Sequence, residues 1–182
     1  MDLRELFFDP NHPTMLGSCA RAATAAEAKY RVQYPNSGMR TSRIFALDVG
    51  AAEAMYAITE DPWNNAHFLT LAAKAGIDPE KTDADALPLS NPDGSAASLE
   101  RELAGADVVV LIATDGSGEG AAEVIARECF RRNIMCAGLA LAKGKSDATV
   151  DKAVNSMRSF ARVLVVAQGD DYIPAMLTAL RA

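Results

Sequence analysis

The sequence predicts an α/β fold: a doubly wound parallel sheet in three layers, with helices on both faces. Three observations carry that prediction. Apolar runs alternate with helix-length patterns from Arg43 onward. Residues 108–113, 134–142 and 162–167 are apolar almost throughout, as strands buried on both faces are. The first of these runs enters a helical pattern through Asp115-Gly116-Ser117-Gly118-Glu119-Gly120, the kind of strand-to-helix turn at which such sheets bind ligands.

Residues 1–42 read differently from the rest. Leu3, Leu6, Phe7 and Phe8 form a small apolar cluster, broken by Asp9-Pro10-Asn11-His12-Pro13. Residues 17–31 are an alanine-rich helix candidate, and Tyr34-Pro35-Asn36-Ser37-Gly38 is a turn signal. This is an N-terminal helical arm and linker, followed by an α/β domain over residues 43–182. The arm either covers one face of the core or contacts another subunit.

Within the domain, residues 43–47 (RIFAL) are the first strand and 50–59 the first helix, with Met55 and Ile58 on one face and Asp61-Pro62 as the stop. Residues 67–71 are the second strand. Residues 78–93 are rich in Asp, Pro and Ser and read as loop, with a short edge strand over 86–89. Ser95 starts a helix that Gly105 ends. After the strand, glycine turn and helix described above, residues 134–142 form a fully apolar strand. Asp147 or Thr149 caps a helix over 150–160, residues 162–167 are the last strand, and 173–180 are a closing helix with Pro174 near its first position. The turns at 48–53, 72–76, 114–120, 143–147 and 168–171 then share the carboxyl edge of the sheet, where ligands sit in such folds.

Composition narrows the function classes. The 182 residues are 49% hydrophobic and 23% charged, which suits one compact domain. A net charge of −6 argues against a nucleic-acid backbone or an anionic membrane as partner, and leaves room for a small nucleotide. Residues 1–10 carry Asp2, Arg4, Glu5 and Asp9 in place of an apolar leader, so a cytoplasmic location is expected. No apolar stretch approaches the ~20 residues of a bilayer span. Cys19, Cys129 and Cys136 form no CxxC pair and lie far in sequence from His12 and His67, so no zinc site is suggested.

Spacing excludes the common loop motifs. No Gly-Lys-Ser/Thr ending completes a Walker A loop. Gly116-x-Gly118-x-Gly120 is one residue short of G-x-G-x-x-G. Ser117 lies directly between two glycines, which is not a nucleophile elbow.

The order of the parts carries a resemblance. Residues 106–126 (ADVVVLIATDGSGEGAAEVIA) resemble the strand, signature loop and helix of the FtsZ/tubulin GTPases, whose loop reads GGGTGTG. Gly116, Ser117, Gly118, Glu119 and Gly120 match its final five positions, with Glu119 in place of a threonine. Residues 43–58 align without gaps to the family's first strand, glycine loop and helix; in that loop only Gly50 could serve a close backbone approach, it does not fall on a family glycine, and Glu53 stands where the family has Asn. Residues 162–173 are similar to the later strand that ends in Pro-Asn-Asp. There Gly169 replaces Asn and Asp170 keeps the Asp that helps hold guanine. The resemblance implies a nucleotide site built from Gly50, Asp115, Gly116, Ser117, Gly118, Glu119, Gly120 and Asp170. The implied cofactor is GTP or GDP with magnesium, or none if binding has been lost. In the family, hydrolysis is completed by acidic residues of a second domain after the long central helix. The chain stops at Ala182, so GTP hydrolysis is not expected.

Glu119 has two readings. A carboxylate at a helix N-terminus is stabilising by about 0.3–1 kcal/mol, so it is either a self-satisfied helix start or part of a metal-assisted phosphate site with Asp115 and Asp48. A phosphate charge about 5 Å away is repelled by roughly 1–3 kcal/mol per charge pair. The leading expectation is a divergent FtsZ/tubulin-like protein that binds a nucleotide or other small anionic ligand, or an interaction module. Two alternatives stand beside it. One is a small Rossmann-like enzyme using Asp48, Asp115 or Asp170 as acid/base groups. The other is a homo-oligomeric scaffold, assembled through the arm or through the closing helix, whose apolar face (Met176, Leu177, Leu180) needs a cover.

Overall fold

Alternating strand and helix segments assemble into one sheet because each apolar run, buried on both faces, needs a layer on either side. The structure is a computed structural model that describes residues 40–63, 65–72, 76–169 and 172–180. The helical arm read from the first 39 residues lies outside them.

The strands are β1 (Ser42–Ala46), β2 (Ala66–Leu71), β3 (Leu89–Ser90), β4 (Ala96–Ala97), β5 (Val108–Ala113), β6 (Met135–Leu141) and β7 (Val163–Ala167). The helices are α1 (Val49–Tyr56), α2 (Leu99–Leu103), α3 (Glu119–Arg131), α4 (Asp147–Arg158) and α5 (Tyr172–Leu180). The sheet order is β4-β3-β2-β1-β5-β6-β7. β2, β1, β5, β6 and β7 run parallel, with Ala46 level with Ile112 across β1 and β5. β3 and β4 add an antiparallel edge.

Side chains alternate across the sheet although the strands read as continuous apolar runs. Val109, Leu111 and Ala113 of β5 join one core with Leu99 and Leu103 of α2, Val124 and Ile125 of α3, and Ala153 and Met157 of α4. Val108, Val110 and Ile112 join the other, with Ala51 and Met55 of α1 and Ile173, Met176 and Leu177 of α5. This is a three-layer, Rossmann-like fold wound in both directions from β1. Met176 and Leu177 are buried in that second core. On the apolar face of the closing helix, Met176 and Leu177 thus pack with strand residues such as Val110 and Ile112, and the partly buried Leu180 lies against the same core.

Three local expectations are corrected. A 3₁₀ turn occupies Ala84–Ala86, which displaces the edge strand from 86–89 to Leu89–Ser90. Ser95 does not start a helix. Asp93 accepts its amide at 2.8 Å and its hydroxyl at 2.6 Å, fixing a turn that leads into β4, and Ser98 caps α2 instead. Neither Asp147 nor Thr149 caps α4. Ser146 holds the cap position, and its hydroxyl bonds to that of Thr149 at 2.9 Å rather than to a helix amide. Among the described residues no helix is long and apolar enough to cross a membrane.

Candidate functional site

The chain leaves β1 towards β2 on one side, while β5 lies on the other, so the sheet reverses direction between β1 and β5. Open α/β sheets form their ligand crevice beyond the carboxyl ends at that point. Two loops meet there. Leu47 continues β1, its amide bonding to the Ile112 carbonyl at 2.9 Å. Asp48 follows with extended backbone and caps α1, accepting the Ala51 amide at 2.8 Å. Thr114, Asp115, Gly116 and Ser117 follow β5.

The Asp48 carboxylate ties the loops together. Besides Ala51 N, it accepts Thr114 N at 2.6 Å, Thr114 Oγ1 at 2.7 Å and Asp115 N at 3.2 Å. Asp48 is buried. Each oxygen takes two bonds, which uses the acceptor capacity of an ionised carboxylate. Asp115 is turned the other way, its Oδ1 accepting Ser117 N at 2.8 Å.

The glycines of the loop fit the protein's own backbone. Gly116 has φ +81°, and a β-carbon there would lie 2.7 Å from the Lys152 carbonyl oxygen of α4. β-carbons at Gly118 and Gly120 would collide with the carbonyl oxygens of Leu47 and Ile77. Gly50 allows α1 to start against Thr114 Oγ1. The pattern that reads as a phosphate cradle therefore also serves to seat α3 against β1, α4 and the residues after β2.

Two clefts flank this loop. One, of about 530 Å³, is walled by Leu47, Val49, Tyr56, Leu71 and Ile77, with Asp48, Glu53 and Asp115 as its carboxylates. The other, of about 570 Å³, opens towards α4 and presents Glu119, Thr149, Lys152 and Asn155. Asp115 and Ser117 line both. Gly118 caps α3 without a side-chain hydrogen bond, leaving that helix end to backbone or ligand partners.

The predicted site residues thus divide. Asp115, Gly116, Ser117, Gly118 and Glu119 line the clefts. Gly50 and Gly120 are packing positions beside them. Asp170 lies outside the described residues. Glu119 is exposed on the α4 side at the start of α3, whereas Asp48 caps the start of α1 and bonds to the loop after β5. Among the described residues no group of three or more His, Cys, Asp or Glu side chains is arranged to hold a metal ion. Sequence reasoning missed Thr114, Tyr56 and Lys152. An aspartate just before a helical pattern signals an N-cap, which would have given the role of Asp48. Nothing local marks Lys152, which faces the loop only through the packing of α4.

The remaining reactive side chains lie elsewhere. His67 pairs with Glu102 at 3.0 Å near the opposite, amino edge of the sheet, where Glu102 also holds the buried Arg43 at 2.8 Å. Cys129 and Cys136 are buried free thiols. The hydrogen bond with Cys136, and then burial, push the Cys129 thiol far above its usual range, which keeps it un-ionised and unreactive. No protein-family model matches the chain, and no curated protein matches it.

Proposed function

We propose that this chain is a small-ligand-binding domain, related in design to the nucleotide-binding domain of FtsZ and tubulin, that holds a nucleotide across its glycine loop. The observation that carries this reading is the pair of clefts sharing Asp115 and Ser117. The β1–β2 cleft has apolar walls for a base and carboxylates that accept ribose hydroxyls. The α4 cleft has Lys152, Thr149 and Asn155 for phosphate oxygens. Asp115 and Glu119 oppose a bare phosphate there, so the nucleotide enters as its magnesium complex. Hydrolysis is not part of this reading. Calorimetry with GTP, GDP, ATP and NAD(P), with and without magnesium, tests it. Heat that depends on magnesium supports it. Absence of heat for every compound at millimolar concentration ends it.

A second reading, assembly into a homo-oligomer, is supported by β7. That strand closes the sheet on one side and leaves Val163 and Val166 about half exposed, at 50% and 49%. Exposed apolar edges pair readily with another strand. Light scattering of the chain and of Val166→Lys tests this: a monomeric mass for the unaltered chain removes the reading.

A further inference from the structure

We infer that Asp48 is the resident anion of the cradle between β1 and β5, and that it sets the charge of what the adjoining cleft accepts. The donors converging on it come from two separate loops: the amide of Ala51 in the first turn of α1, the amides of Thr114 and Asp115, and the Thr114 hydroxyl. Three of the four are backbone groups, set by the fold rather than by side-chain identity. Amides at strand-to-helix turns on the carboxyl edge, aimed at one oxyanion, are the means by which this class of sheet binds phosphate; here one comes from the turn after β1 and two from the turn after β5. Here the oxyanion belongs to the chain. A tethered carboxylate competes with dissolved anions at very high effective concentration, so a ligand phosphate does not displace it.

The consequence falls on the cleft of about 530 Å³ that Asp48 lines. Its cradle is filled, and Glu53 and Asp115 add further negative charge to the same wall. The part of a ligand that enters is uncharged or cationic, with an apolar body for Tyr56, Leu71 and Ile77 and hydrogen-bond donors for the carboxylates. Any phosphate lies on the α4 side of the loop. This orientation rests on the nucleotide reading above; the occupancy of the cradle by Asp48 does not.

The test uses formate and inorganic phosphate as probes on the full chain. Asp48→Ala removes the carboxylate and leaves a space that formate fits. Its melting temperature should climb by several degrees as formate is added, and not with chloride at equal ionic strength. The Ala51, Thr114 and Asp115 amide resonances should shift in the same titration. In the unaltered chain those three resonances should stay fixed with either probe. Asp48→Asn, which leaves no space, should not respond to formate. A folded Asp48→Ala that ignores formate, or movement of the three resonances in the unaltered chain, overturns the inference. If Asp48→Ala does not fold, the titration of the unaltered chain still decides. A chain that binds no nucleotide ends the nucleotide reading and leaves the formate result to judge Asp48 alone.

Discussion

Gly116 lies against the backbone of Lys152. A β-carbon at Gly116 would stand 2.7 Å from the Lys152 carbonyl oxygen, and the residue's φ of +81° is itself unfavourable for a side chain. The loop after β5 and the helix α4 are fitted to one another at this point. Gly116→Ala should therefore destabilise the fold by roughly 2 kcal/mol or more, from left-handed strain and from overpacking. Gly144 has a similar φ of +68° with open space around it, so Gly144→Ala should cost about 1 kcal/mol, the strain alone. Urea unfolding of the two variants measures the difference. Equal losses would remove the role assigned to Lys152.

Thr114→Val deletes one donor from the Asp48 cradle and keeps the shape of the side chain. The loss should be about 1–3 kcal/mol, because a buried carboxylate is left short of a bond. Thr114→Ser retains the hydroxyl and should restore most of it. A valine variant as stable as the parent would show that the bond at 2.7 Å contributes nothing.

Charge at the α4 cleft gives a prediction about the ligand. Glu119→Thr removes a carboxylate facing the proposed phosphate position. Nucleotide affinity without magnesium should rise at least fivefold, in line with about 1–3 kcal/mol of relieved repulsion. Lys152→Ala should lower nucleotide affinity about tenfold and leave nucleoside affinity unchanged. Calorimetry separates the two. Loss of nucleoside and nucleotide binding together in Lys152→Ala would place the phosphate elsewhere.

Glu128 sits buried near the end of α3, bonded to Arg131 at 2.9 Å and to Arg132. Burial alone pushes its carboxyl up, but hydrogen bonds from Arg132 and Arg131, reinforced by their charges, hold it below the usual glutamate range. A carboxyl lowered in the folded state stabilises the protein above its unfolded pKa, and that contribution fades as pH falls through the folded one. Stability should drop as the medium is acidified below about pH 4.5. Glu128→Gln should show a shallower acid limb in urea unfolding between pH 6 and pH 3. An unchanged limb would mean the pair contributes no pH dependence.

The sequence by itself determined the layers. Runs such as 108–113 are apolar on both faces and cannot rest at a surface, so a covered parallel sheet follows from hydrophobic burial alone. It also located the glycine loop at the sheet's carboxyl edge, because a strand, a turn and a helix in that order leave no other place for it. Boundaries in the stretch 84–98 were not legible. There Asp93, Ser95 and Ser98 offer competing caps of similar local strength, and the pairing of β4 with β3 chose among them. The use of the site was decided only by tertiary structure. Asp48 and Thr114 are 66 residues apart, and their bond exists because β1 and β5 lie side by side. Which carboxylate fills the cradle is a matter of distance across that pair of strands. Sequence spacing signals Asp48 as the cap of α1 but carries no information about its bonds to Thr114 and Asp115, and Glu119, at the start of α3, faces the α4 cleft instead.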